Sequence, residues 1–208
     1  MRSDVLIVAH RGRRPRIEAS GGIAARETEL DTVHLVSAAA TPLGGDSICV
    51  RIVVESGALL RVRTAAATMT LPGPATRESH ASWALEVAGE LDLDPQPTVV
   101  AAASRHITCT RLALDASGRV KVRERIQIGR ADERQGFWSG SLHADVDGAA
   151  LLRHRIELGR ESVADDELAA PMACISELHY PDTEVDTAGM PLALAGGGCL
   201  STWQGERL

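Results

Sequence analysis

The side chains able to bind metal or move protons are scattered through this chain of 208 residues. Its seven histidines are His10, His34, His80, His106, His143, His154 and His179, and no two stand at i, i+2 or i, i+4. A closed structural zinc site needs about four convergent nitrogen or sulfur ligands, and no such spacing is present. His106 and Cys109 lie three apart, which on a strand sends them to opposite faces. The densest acidic group is Glu90, Asp92 and Asp94, beside an apolar stretch. Two readings of it stay open. It is a solvated strand end, or it belongs to a loose path of carboxylates and carbonyls, which suits a borderline metal that must be released again. The densest basic group is the ladder Arg119, Lys121, Arg123 and Arg125. Either it steers an acidic protein partner, or it is a solvated sheet face that discourages edge pairing.

Recognisable catalytic patterns are missing. The chain has no G-x-S-x-G elbow, no P-loop, no G-x-G-x-x-G before a helix and no H-E-x-x-H. Serine, histidine and aspartate occur without the spacing of a triad, so a non-enzyme is the preferred reading. A carbohydrate-active β-stack enzyme is one alternative. It would need paired carboxylates about 5–10 Å apart in an aromatic-lined groove, and aromatics are only 2% of this sequence. A small-molecule-binding β-barrel is the other.

Composition narrows the partners. The net charge of −6 argues against general nucleic-acid binding. Few aromatics leave few stacking surfaces for bases or sugars. Cys49, Cys109, Cys174 and Cys199 form no C-x-x-C knuckle and are expected to be reduced thiols. Val5–Ala9 is too short for a signal-peptide core, and no apolar run approaches the ~18 residues of a membrane span. The expectation is a soluble, cytoplasmic protein of one domain, 1–208.

The elements that must position these groups are short and alternating. Leu43-Gly44-Gly45-Asp46 reads as a turn, since adjacent glycines accept positive φ and Asp bonds its own backbone. Ile48, Val50, Ile52 and Val54 then share one strand face, and Glu55-Ser56-Gly57 closes the strand. Val5–Ala9, His34–Ser37, Trp83–Val87, Leu91–Asp94, Thr98–Ala103 and Ile107–Leu114 also read as strands. Arg119–Ile128 is the cleanest, with Val120, Val122, Ile126 and Ile128 on one side and Glu124 as the exception among them. Asp147-Gly148 marks a two-residue hairpin between 141–146 and 149–158, with His154 on the inward side. Residues 17–31 are ambiguous between helix and loop, and 161–170 suggest one short helix. Strands separated by turns about every 8–12 residues indicate an all-β sandwich, barrel or irregular stack.

Four segments carry a resemblance. Gly44-Gly45-Asp46, the run Thr64-Ala65-Ala66-Ala67-Thr68, the segment Glu90 to Val100 with Pro95 and Gln96, and Gly129-Arg130 followed by Gly136-Phe137 occur in order. They resemble the GGD, T-x-A-A-T, L-E-W-L-P-Q-x-T and L-G-R-x-x-x-G-E-x-F motifs of the UreD (UreH) urease accessory proteins. The match is clearest over 37–159 and fainter to Gly198, with both ends short relative to the family. Met69, Asp92 and Gln135 stand where the family usually has Lys, Trp and Glu, and Gln135 offers no carboxylate. The resemblance implies an all-β, helix-like stack of antiparallel and mixed strands with little helix. It implies a scaffold without catalysis or tightly bound cofactor. That scaffold binds urease apoprotein and joins the UreF and UreG accessory proteins. GTP hydrolysis by UreG delivers nickel, which passes transiently toward the urease metallocentre.

Overall fold

The computed structural model describes residues 1–163, 170–183 and 185–208. Among them the secondary structure is strand and turn, without α-helix. The strands in order are β1 (Arg2–Ala9), β2 (Arg16–Ser20), β3 (Ile23–Glu29), β4 (Thr32–Ser37), β5 (Ser47–Val54) and β6 (Leu59–Thr64). Then come β7 (Thr68–Thr70), β8 (Glu78–Val87), β9 (Glu90–Leu93), β10 (Thr98–Val100), β11 (Arg105–Leu114) and β12 (Arg119–Ile128). The chain ends with β13 (Phe137–Val146), β14 (Ala149–Gly159), β15 (Ala173–Tyr180), β16 (Met190–Ala193) and β17 (Cys199–Gly205).

These strands build two facing sheets, ordered β14-β13-β11-β8-β5-β1-β2 and β16-β17-β15-β12-β9-β6-β4-β3. Apart from the short strands β7 and β10, which pair with each other, β10 also with β12 in the second sheet, the chain alternates between the sheets from β4 to β13, so each grows by parallel neighbours: β1, β5, β8, β11 and β13 in the first, β4, β6, β9 and β12 in the second. The result is a coil of strands, a β-helix-like stack closed by antiparallel hairpins at both ends. Parallel sheets usually carry helices on their outer faces and read as unbroken apolar runs. Here the outer faces meet water, and period-2 alternation persists.

Register sets the core. Ile7, Ile52, Leu85, Leu112 and Ala144 lie in one row across the first sheet. Val33, Val62, Leu93, Val122, Leu178 and Leu200 lie in the facing row. All eleven are buried in one cluster. Each large aliphatic side chain so buried contributes about 1.5–3 kcal/mol, and no single strand can supply that shelter alone.

Several sequence expectations are corrected. Most of 17–31 is strand, in β2 and β3, because the turn at Gly21-Gly22 carries the chain from the edge of the first sheet, where β2 pairs with β1, to the edge of the second, where β3 pairs with β4. The strand expected over 98–103 stops at Val100, and Ala103 takes a positive φ of 60°. Of the helix expected over 161–170, residues 164–169 lie outside the described residues, and 161–163 form a turn and bend. The Asp147-Gly148 hairpin is present, with φ of 48° and 79° suited to a type I′ turn.

The Gly44-Gly45-Asp46 turn delivers the chain into β5. A Cβ on Gly44 would sit 1.9 Å from the Thr76 carbonyl oxygen, and Gly45 has φ +93°. Buried Asp46 accepts hydrogen bonds from the Leu43 amide at 2.8 Å and the Thr41 hydroxyl at 2.9 Å. Asp46→Ala leaves these two donors and the Met1 amino group, which lies 2.5 Å from the same carboxylate, without their acceptor and is expected to cost about 1–3 kcal/mol. An unchanged thermal midpoint would contradict this structural role.

Candidate functional site

The acidic and basic groups read separately in the sequence share the outer face of the second sheet. β9 runs between β6 and β12, so its carboxylates face guanidinium groups on both sides. Asp92 accepts from Arg63 at 2.5 Å. Asp94 accepts from Arg125 at 2.6 Å and from Arg123 at 3.2 Å. Arg123 also reaches Glu177 at 3.0 Å, and Glu177 is only 2% exposed. Burial alone would raise the Glu177 carboxyl. The bonds from Arg123 and His179 outweigh it and hold the group below the ordinary carboxylate range. Arg119 pairs with Asp182, Lys121 lies in register between Asp92 and His179, and Glu90 is exposed beside Arg119. Arginines therefore already engage Asp92 and Asp94, and three of the four ladder residues are paired. Among the described residues, no group of three or more His, Cys, Asp and Glu side chains is arranged to hold a metal ion.

A different place concentrates polar groups. Between the sheets lies a cavity of about 280 Å³. Its cause is the row Ile48, Ala81, Thr108, Gly140 and Ile156. Small residues fill the middle of this row, where the solid core has Ile52, Leu85 and Leu112. The indole of Trp138 occupies Gly140's side-chain space, 2.1 Å from where a Cβ would be. Ser37, Ala65, Ala66, Ala67 and Gln96 line the cavity and are exposed, so they form its mouth. Two motif segments meet there. The Gln96 amide donates to the Thr64 hydroxyl at 2.9 Å, and the Thr68 amide donates to the Pro97 carbonyl at 2.9 Å. Thr64, Thr68, Pro95 and Gln96 all border the opening.

The other motif residues hold the frame. Gly129 has φ +76°, and a Cβ there would lie 1.9 Å from the Glu133 carbonyl oxygen. Glu133 accepts from the Arg130 side chain and from the amides of Ala102 and Arg130. Those bonds, Arg130's first, pull its carboxyl down to about 2. Gly136 passes close to the Val100 carbonyl, and the Phe137 ring carries the Arg105 guanidinium at 3.9 Å. This loop braces β10 against β13 without lining the cavity.

Inside the cavity the chemistry is that of isolated polar groups. Glu124 faces it from β12 and accepts a hydrogen bond from the Thr108 hydroxyl at 2.9 Å. Glu124 is half-buried and its side chain lies among the residues bordering the cavity. Burial pushes this carboxyl up to about 7, against the opposing pull of Thr108. Burial also lowers His154, and it brings His106 down to about 4, aided by His80. His106 shares a hydrogen bond with the Ser79 hydroxyl at 2.9 Å. The Trp138 Nε1 and His154 Nε2 atoms are buried without a hydrogen-bond partner.

The pattern of the family described as UreD urease accessory protein matches residues 23–184, which include the mouth, the cavity and the bracing loop. This chain belongs to the UreD family. It is 35% identical to urease accessory protein UreD 1 of Saccharopolyspora erythraea over 199 residues, covering 91% of this chain and 75% of that protein. It is 45% identical to UreD of Frankia alni over 121 residues, or 57% of this chain and 41% of that one. For UreD of Frankia casuarinae the identity is 37% over 178 residues, with 77% and 56% covered. The chain thus spans only part of each of these UreD proteins. Within the shared part, sequence reasoning missed Glu124 and Thr108 as cavity residues. One signal was visible: Glu124 interrupts an otherwise apolar face of β12.

Proposed function

We propose that this chain serves urease maturation as a non-catalytic scaffold. It binds urease apoprotein and joins the UreF and UreG accessory proteins, and nickel passes through its interior toward the forming metallocentre. The observation that carries this reading is the cavity itself, opened at a mouth built from two family motif segments. Its walls are largely apolar and carry a few hydroxyl, imidazole and carboxyl groups rather than a thiolate cage, and an interior without a thiolate site does not hold a borderline metal permanently. Cys174 is buried, and burial, then Glu124, pushes its thiol up to about 12. Four free cysteines accord with work in the reducing cytoplasm. The two broad sheet faces supply area for partner proteins, with the paired charges of the second sheet fixing register more than adding affinity.

Co-expression with urease subunits and accessory proteins, followed by affinity capture of this chain, tests the reading. Urease and at least one accessory protein are expected to co-purify at defined stoichiometry. Recovery of this chain alone would overturn the scaffold.

A further inference from the structure

We propose that a small cleft among Arg77, Arg105, Gln135 and Arg160 is a docking point for an acidic side chain of a partner protein. The inference rests on the scaffold reading for the identity of that partner. Four segments converge at the end of the first sheet where β8, β11 and β13 begin and β14 stops. The Arg105 amide donates to the Arg77 carbonyl at 2.9 Å, the Phe137 amide to the Ser104 carbonyl at 3.0 Å, and the Arg160 amide to the Gly136 carbonyl at 3.1 Å. The cleft these bonds frame has a volume of about 80 Å³, and the three arginines, Gln135 and Glu161 all line it.

Charge and size select the occupant. Arg105 is fixed in place: its guanidinium lies over the Phe137 ring at 3.9 Å and reaches Glu161 at 3.2 Å and Glu78 at 3.6 Å. Arg77 and Arg160 are exposed, and neither has an ion pair among the described residues. Gln135 is exposed too and adds an amide donor without a charge. Three guanidiniums against the carboxylates of Glu78 and Glu161 leave one positive charge. That balance matches a single carboxylate, and a phosphate dianion would leave it negative. The volume is far below the ~300 Å³ at which small-molecule sites begin, so the cleft takes one end group of something larger. An Asp or Glu side chain presented by a protein meets both conditions, and guanidinium forks bind it in bidentate fashion. Because Arg105 is already held, little side-chain freedom is lost there on binding. A glutamate at position 135 would neutralise the cleft from within; Gln135 leaves that carboxylate to the partner.

Two measurements test it. In affinity capture from cells co-expressing urease and the accessory proteins, Arg77→Glu with Arg160→Glu is expected to lower partner recovery about tenfold or more, since like charges then face each other. Gln135→Glu should lower it severalfold, and Gln135→Asn should not. Both arginines are exposed, so the thermal midpoint should stay put and separate lost docking from lost folding. Arg11→Ser with Arg13→Ser is the control: both are exposed in the loop after β1, at the opposite end of the parallel strands, and recovery should not change. The second measurement needs no urease. A fluorescein-labelled hexaglutamate peptide is titrated at low salt, and its anisotropy is followed. The unaltered chain should bind it, the double charge reversal should weaken binding about tenfold, and acetate should compete at least as well as inorganic phosphate. Equal peptide binding by both chains would overturn the docking point, and so would displacement by phosphate but not by acetate, which would mark a phosphate site. The two readings fail separately. Normal capture by the charge-reversed chain keeps the scaffold and loses the cleft, whereas peptide binding through these arginines without capture of urease does the reverse.

Discussion

Glu124→Gln is expected to stabilise the folded chain above neutral pH and to change it little below pH 4. The sign follows from the direction of the shift. Burial raises the folded-state carboxyl to about 7 from an unfolded value of 4.5. Between those values the folded state binds more protons than the unfolded state, so wild-type stability falls as pH rises through the interval. The difference of about 2.5 units corresponds to roughly 3 kcal/mol above pH 7. Gln carries no charge to desolvate, and its amide oxygen still accepts from Thr108. For a chain of this size each kcal/mol moves the thermal midpoint by about 2–4 °C, so a gain of roughly 6–12 °C is expected at pH 8.5. Melts at pH 4 and pH 8.5 check it, and coincident midpoints at pH 8.5 would show that the Glu124 carboxyl is not buried.

Gly44→Ala is expected to destabilise the chain by about 3 kcal/mol or more, among the largest costs for a single methyl group. The added Cβ would lie 1.9 Å from the Thr76 carbonyl oxygen and 2.5 Å from the Gly73 amide nitrogen. Both are backbone atoms and cannot swing aside as a side chain can. The contact joins the turn before β5 to the loop before β8, and these strands are neighbours in the first sheet. Gly148→Ala is the control. That residue has φ +79° but nothing within 4 Å of a new Cβ, so only backbone strain of about 1 kcal/mol applies. Urea midpoints of the two variants should differ clearly. Equal losses would mean that the close approach at Gly44 relaxes at no cost.

These two residues also show how far sequence reasoning reached. Gly44 was legible because a glycine pair beside Asp and an alternating strand has a local cause, and the turn needs only its own residues. The inward face of β12 was legible for the same reason, Glu124 included as its oddity. Which strands pair was not. Alternation looks the same in parallel and antiparallel neighbours, and the parallel rows through Ile52, Leu85 and Leu112 join residues about 30 positions apart. The cavity depends on such a row, since Ala81, Thr108 and Gly140 are unremarkable until register sets them side by side. The acidic group at Asp92 and Asp94 and the basic ladder at Arg123 and Arg125 were each visible, but not that they neutralise one another. That is a property of β9 lying beside β12. Glu90 to Val100 and Thr64 to Thr68 meet at one opening for the same reason, two coils of the stack ending at one height.

The central claim is that this chain is required to build active urease and does no chemistry on the substrate itself. The direct measurement is urease activity in cells lacking the region that encodes it, with and without added nickel and with the chain restored. The account predicts that urease polypeptides are present but inactive without it, that added nickel recovers little activity, and that the restored chain recovers most. Full urease activity in its absence at ordinary nickel concentrations would contradict the account.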